Sequence, residues 1–392
     1  MSTYHCPLCP LIFEYRTEVE WHLREEHRSR LDEEADLRAE VAAAARPLDR
    51  ERLQALRAGG SRPSISLLLA TAPAEAMTVL DVARLRQLAD RARRRLARER
   101  ERHNSIGVIE HRLARAVSAA ESLPTDRGLA VLVNDQQLAI VALPFPPHDR
   151  HVVGSGFATR DLEYSLQHFP RHRVLVLGGR PRILEGTVAG LREVGAVAAT
   201  GPEPDADELL DQRARLAGPL PLVLVGDRRQ LDHFMRMSRH AGEVEVSVAR
   251  PLMRRAAAAE LAGRALSGLD HARHEQAVDA LRDAERQQRV AWGLEAAWAA
   301  ARPGGADRIY VDREYAVPGR VAAGTGRYEV TGEAGDPGGV DDLVDVLVAR
   351  AAQAAIPVDM LDGGALRGPE PVAALLPLGT TRPAPAEALV LT

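Results

Sequence analysis

With 392 residues, 45% apolar and 27% charged, the chain has a globular composition and the length of two or three domains. A net charge of −4 gives no global attraction to nucleic acid, so any such contact has to be local. No stretch approaches the ~18 to 20 apolar residues of a membrane span, and no basic segment followed by an apolar one opens the chain, so a cytoplasmic protein without a membrane partner is expected. All 51 basic residues are Arg, so Arg abundance alone carries no argument.

Both cysteines, Cys6 and Cys9, lie in the first ten residues, a metal pattern rather than a disulfide framework and one suited to a reducing compartment. With two histidines they give Cys6-x2-Cys9-x12-His22-x4-His27. Zn²⁺ takes four N or S ligands in a tetrahedron, and a short hairpin followed by a helix supplies them at this spacing. Phe13 and Val19 stand where such a finger places its small core. Zinc held by Cys6, Cys9, His22 and His27 is therefore expected, and metal binding would supply the folding free energy of so short a unit. The positions from which a finger helix reads bases fall on Tyr15, Glu18 and Trp21. None is an Arg or Asn. Glu14, Glu18, Glu20, Glu25 and Glu26 make the surface acidic, so sequence-specific DNA binding is not expected.

Residues 28–60 read as a charged helical connector ending at Gly59-Gly60. Ser64 to Leu69 is a buried-strand candidate. Helices follow near Val79 to Arg102 and Ile106 to Leu123, then strands at Leu129 to Val133 and Leu138 to Leu143 with the turn residues Asn134-Asp135 between them. A helix near Thr159 to His168 is expected to close this domain. On the first helix Leu85, Leu88, Ala92 and Leu96 share one face. Arg84, Arg91, Arg94, Arg95, Arg98 and Arg102 fall on an adjacent stripe spanning about 100°, and Asp90, Glu99 and Glu101 avoid it. Guanidinium groups pair bidentately with phosphate oxygens, so the stripe is a candidate RNA-backbone contact; the alternative is a solvated face.

Arg173 to Gly186, RVLVLGGRPRILEG, reads as strand, tight turn, strand, with Gly178 and Gly179 at the turn. Asp205 to Ala217 reads as a helix, Leu222 to Gly226 as a buried strand, Arg228 to His240 as a helix and Val244 to Val248 as an alternating strand. Arg254 to about Ala301 reads as almost wholly helical. Arg308 to Val311 reads as a strand, Val340 to Ala355 as a helix, and Ile356 to Met360 and Val372 to Leu376 as strands. Thr331 to Gly339 is a Gly-rich acidic loop, and the tail beyond Gly379 is expected to lack order. Strands alternating with helices argue for an α/β protein.

SISLLLATAP followed by an Arg-rich helix, and then GLAVLVNDQQLAIVALPFP, resemble the N-terminal domain of the archaeo-eukaryotic release factor and Pelota superfamily. RVLVLGGRPRILEG and PLVLVGDRRQLDHF resemble its middle domain; ADRIYVDREYAV and IPVDMLDGG resemble its C-terminal domain. The resemblance covers residues 61–378 in the same order and looks closest to the bacterial branch, which includes ribosome hibernation factors. It implies a release-factor-like N-terminal α/β domain (61–170), a ribonuclease-H-like middle domain (171–288) and a C-terminal domain like the kink-turn-binding ribosomal proteins (289–378). A zinc finger (1–30) and a helical linker (31–60) precede these, and a tail (379–392) follows. It implies the ribosome, its RNA and proteins, as partner, together with a translational GTPase.

Release factors of this superfamily carry a Gly-Gly-Gln loop after the central hairpin. The corresponding segment here, EGTVAGLREVGAVAATGPEPDADELL, has none, so peptide release is not expected. Two-metal nuclease chemistry needs convergent carboxylates. The first middle-domain strand, Arg173 to Leu177, offers none, and Glu185 and Asp227 read as solvated strand ends. His271 and His274 with Glu275 fit no metalloprotease order. No catalytic residue is assigned and no enzyme activity is expected. The first reading is a non-catalytic ribosome-associated factor acting in hibernation or on stalled ribosomes. A zinc-finger adaptor or DNA-associated regulator, and a hydrolase with an unrecognised site, stay open beside it.

Overall fold

The protein is described from a computed structural model, over residues 4–5, 11–13, 15, 17–19, 21–22, 44–59, 63–98, 106–178, 181–194, 205–249, 255–322, 326–331, 339–362, 364–366 and 370–379. The chain divides into two units. The first comprises Met1–Leu48, Ala58–Ala142 and Pro147–Phe157; the second comprises Asp49–Arg57, Leu143–Pro146 and Ala158–Thr392. Both are α/β.

In the first unit β1 (Tyr4–His5) and β2 (Ile12–Phe13) form a small antiparallel pair, with Tyr4 opposite Phe13. The main sheet has the order β5-β4-β3-β6, from β3 (Ser64–Ala70), β4 (Gly128–Val133), β5 (Leu138–Leu143) and β6 (Arg150–Gly154). β3 is antiparallel to both β4 and β6. One sheet face is covered by α2 (Val79–Ala97) and α3 (Ile106–Glu121); the preceding α1 (Arg50–Ala58) belongs, except for Ala58, to the second unit. Leu85, Leu88, Ala92 and Leu96 of α2 are all buried against Ile65, Leu67, Val131 and the apolar face of α3, as their spacing predicts. Burial of that stripe is what makes α2 a helix despite its many Arg.

In the second unit β7 (His172–Val176), β8 (Arg182–Thr187) and β9 (Gly190–Val194) form an antiparallel meander. On the other side of β7, β10 (Leu222–Gly226) and then β11 (Val244–Ala249) continue the sheet in parallel. The order is β11-β10-β7-β8-β9. One face carries α5 (Ala206–Ala217) and α6 (Arg228–Met237), through Leu209, Leu210, Leu231 and Phe234. The other face meets α7 (Arg255–Arg286), through Ala262 and Leu266.

Further along α7, Leu281 and Ala284 cover a second sheet of order β12-β17-β13-β16. Its strands are β12 (Val290–Trp292), β13 (Arg308–Asp312), β16 (Val358–Leu361) and β17 (Val372–Leu375). The short α8 (Leu294–Ala300), the pair β14 (Gly319–Val321) and β15 (Tyr328–Val330), and α9 (Leu343–Gln353) complete this part.

Strands β6, β14 and β15 are additions to the elements expected from sequence, and the structure departs from those expectations at three further places. The helical run expected to reach Ala301 ends at Arg286: Gln288 takes φ 58, and Val290–Trp292 pairs with β17 instead. A third meander strand, Gly190–Val194, stands in the segment searched for a release loop; residues 195–204 lie outside the described residues. The helix expected to close the N-terminal domain, α4 (Arg160–His168), sits in the second unit. Arg160 forms a buried ion pair with Asp342 at 3.0 Å, and Tyr164 donates to Asp362 at 2.9 Å, so its polar side chains are satisfied by the last sheet and its helix.

Candidate functional site

The Arg-rich α2 starts at Thr78, whose hydroxyl accepts from the Asp81 amide and donates to the Asp81 carboxylate. This cap satisfies an otherwise unpaired first-turn donor. Around the helix its cations then separate by their angle to the core. Arg84 lies at the margin of the apolar face and is engaged inside the protein, with Asp81 at 2.6 Å, Asp149 at 2.9 Å and the Ala70 carbonyl at 2.5 Å. Burial pushes the Asp81 carboxyl up, but the hydrogen bonds from Arg84, Thr78 and Ala72 outweigh it and hold the group below the ordinary carboxylate range. Arg95, at the same margin, is buried. Off the stripe, Arg86 is matched bidentately by Glu121 and Arg93 by Asp90.

Arg91, Arg94 and Arg98 remain. They fall within about 60° of one another at 100° per residue, they are exposed, and among the described residues none has a carboxylate partner. Arg102 lies outside the described residues. Of the six Arg read as one stripe, the structure thus presents three together to solvent and turns two, Arg84 and Arg95, to internal roles.

Of the four expected zinc ligands, Cys6, Cys9 and His27 lie outside the described residues. His22 is buried, with its ring 4.9 Å from the Phe13 ring, and Val19 is buried as the finger pattern requires. A hairpin packed on a helical segment that holds one imidazole inward fits a Cys2His2 ligand set. Among the described residues there is no cluster of three or more His, Cys, Asp or Glu that could hold a metal ion.

Glu185 is not the solvated strand end expected from sequence, whereas Asp227, exposed and directly after β10, is one. Glu185 is only 6% exposed and faces Arg173 across the β7–β8 ladder. Its Oε1 accepts from Arg173 at 2.9 Å and from Arg213 at 3.1 Å, and its Oε2 accepts from Arg213 at 2.8 Å. Burial raises the carboxyl, and the two guanidinium groups outweigh this and hold it below its usual range. Asp227 caps α6: its carboxylate accepts from the Gln230 amide while Gln230 accepts from the Asp227 amide. Both carboxylates are committed to the fold. His271 forms an exposed helical ion pair with Glu275 at 3.3 Å.

Sequence reading missed a polar cluster at the free edge of β16. The Gln167 side chain donates to the Val358 carbonyl and accepts from the Met360 amide at 2.9 Å, as a neighbouring strand would. His168 Nε2 donates to the Met360 carbonyl at 2.7 Å, and its Nδ1 faces the Asp270 carboxylate of α7 at 3.1 Å. Both partners are acceptors, an arrangement that favours hydrogen on both ring nitrogens. Burial lowers the His168 pKa, but Asp270 and the Met360 carbonyl outweigh that and raise it.

No family model matches the chain, and no curated protein matches it. Solved structures do. An archaeal translation termination factor is 12% identical, over 84% of this chain and 98% of that one, at a TM-score of 0.23. Pelota from Archaeoglobus fulgidus is 13% identical, over 84% and 92%, at 0.29. A ribosome-bound archaeal Pelota is 12% identical, over 66% and 74%, at 0.34.

Proposed function

We propose that the protein is a non-catalytic ribosome-associated factor that engages RNA phosphates through Arg91, Arg94 and Arg98. The observation that carries this reading is those three exposed guanidinium groups on one helix face without carboxylate partners among the described residues. Phosphate contacts of this kind position a protein without reading sequence. The three-part order of the resembling segments supports the same reading. So does the middle sheet, whose antiparallel meander and two added parallel strands suit a ribonuclease-H-like domain. The absence of Gly-Gly-Gln from the sequence favours occupancy without peptide release, as in hibernation or stalled-ribosome binding, and a translational GTPase is the further partner the resemblance implies. Zinc would be held by Cys6, Cys9, His22 and His27.

Co-sedimentation with purified ribosomes across a salt series tests this reading. Affinity should fall linearly with salt on log axes, with a slope of about −0.7 to −0.9 per phosphate neutralised. Arg94→Ala with Arg98→Ala should weaken binding and flatten the slope by about one to two units. Equal binding by parent and double variant at every salt concentration would return this face to simple solvation.

A second reading, a protein-binding adaptor, draws on the finger. Tyr15 and Trp21, at base-reading positions, are 63% and 64% exposed, and Glu18 between them is acidic. That chemistry suits a protein surface better than phosphate.

A further inference from the structure

A cavity of about 560 Å³ opens inside the second unit, between α4, α7 and the last sheet. Its floor follows from strand register. Tyr310 on β13 is the direct neighbour of Asp359 on β16, and Arg308 lies two residues before Tyr310, so strand alternation puts all three on one face. That is the face α7 covers with Leu281 and Ala284. Arg273 and His274 of α7, His168 of α4 and Arg50 of α1 also line the cavity.

Two features set this cavity apart from a packing gap. The first is Tyr310: it is only 1% exposed, yet its hydroxyl has no hydrogen-bond partner among the described residues. Tyr310 lines the cavity, so this hydroxyl is available to a ligand or to water there. The second is the charge balance. Asp359 matches Arg308, and Asp270 matches His168. Among the described residues Arg273 pairs with Glu245, which it shares with His172. Arg50 reaches Glu163 only at 3.8 Å, and Arg57 already holds that carboxylate at 2.9 Å. Three Arg, Arg50, Arg273 and Arg308, thus line the cavity against two carboxylates, Asp270 and Asp359, and the Tyr310 hydroxyl stands on the same strand face as Asp359.

We propose that this cavity binds a small phosphate-bearing ligand of mononucleotide size. The volume lies within the range that encloses such molecules. The phosphate would be taken by a lining guanidinium group, Arg50 or Arg273, either of which can hold it bidentately. The polar edge of the ligand would meet Tyr310 and Asp359. This site is separate from the α2 face and stands whether or not that face binds ribosomes.

Isothermal titration of the full-length protein with AMP, GMP and inorganic phosphate tests the assignment. A mononucleotide should bind saturably at one site, and inorganic phosphate more weakly. Tyr310→Phe keeps the ring in the core and removes the hydroxyl; it should weaken nucleotide binding roughly three- to tenfold. The Arg50 side chain is 73% exposed, so Arg50→Ala should leave the melting temperature unchanged and weaken binding roughly tenfold. The Arg94→Ala, Arg98→Ala double variant should bind nucleotide like the parent, which separates this site from the ribosome reading. Absence of saturable binding by either nucleotide at millimolar concentration would overturn the proposal. So would equal affinity for inorganic phosphate, or unchanged affinity in both cavity variants.

Discussion

Arg173 and Glu185 are direct cross-strand partners in the central hairpin, and both are buried, with 2.9 Å between Arg173 Nε and Glu185 Oε1. Arg213 from α5 completes the group, so the ladder and the covering helix are tied by one carboxylate. A carboxylate held by two guanidinium groups is poorly placed to bind a catalytic cation, and this is the physical ground for expecting no metal-dependent nuclease at this position.

Replacing Glu185 by Gln leaves Arg173 buried without its counter-charge. Breaking a buried pair from one side costs about 3–5 kcal/mol, so Glu185→Gln should lower unfolding free energy by an amount of that order at pH 7. Against the effect of burial, the group's folded pKa is held below the ordinary carboxyl value of 4.5 by Arg213 and Arg173. Its stabilising contribution is therefore complete above that value and is lost as pH falls through the folded pKa. Denaturant titrations at stepwise lower pH should show parent and variant converging in acid. Parallel curves at all pH values would contradict this account.

Arg84 and Arg94 make a contrast on one helix. Arg84→Ala removes the partner of the buried Asp81, so it should destabilise the first unit by about 1–3 kcal/mol. Arg94→Ala should change stability by no more than about 0.5 kcal/mol. Ribosome binding should respond the other way, with Arg94→Ala weakening it and Arg84→Ala, at a temperature where the variant is folded, leaving it close to the parent. Thermal melts paired with co-sedimentation distinguish the two roles.

For zinc, the expected outcome is one metal per chain in the parent and loss of that metal in Cys9→Ser, read by elemental analysis of the dialysed protein. Metal removal by a chelator should unfold the finger, since its ligands are charged or polar groups with little core around them. Leu85, Leu88 and the sheet beneath them belong to a separate apolar cluster, so the far-ultraviolet signal of the body should change little. Equal zinc in parent and Cys9→Ser would remove Cys9 from the ligand set.

Local periodicity made part of this architecture legible. The apolar spacing of Leu85, Leu88, Ala92 and Leu96 fixed both a helix and its buried face, and the run Val174 to Leu177 before two glycines fixed a hairpin. What stayed hidden depends on partners far along the chain. Gly190–Val194 has no strong apolar alternation and is a strand because β8 offers it an edge. Val290–Trp292 is three residues amid helix formers and pairs with residues more than eighty positions later. Glu185 looked solvated because nothing in its neighbours announces that Arg173 and Arg213 will meet it. The α2 stripe was half legible: helical angle groups its Arg correctly, but only the neighbouring Asp81 and Asp149 reveal that Arg84 is taken.

The last prediction concerns the edge of β16. An uncovered strand edge invites pairing with another chain, and here Gln167 and His168 occupy its groups from α4. Gln167→Ala should expose the Val358 carbonyl and the Met360 amide. A loss of about 1–3 kcal/mol is expected, with concentration-dependent self-association in sedimentation velocity runs. His168 adds a pH dependence to the same edge. Its folded pKa is raised above the ordinary histidine value of 6.5, because Asp270 and the Met360 carbonyl outweigh the effect of burial. Its contribution is thus fully present below that value and fades as pH rises through the folded pKa. The stability difference between the parent and His168→Phe, which cannot make either bond, should be larger at pH 6 than at pH 9. Both His172 and His240 also sit beside carboxylates, so the comparison is made against the variant at each pH and not on the parent alone. A difference that grows with pH would mean that His168 is held neutral, and would break the link between α4, α7 and the edge strand argued here.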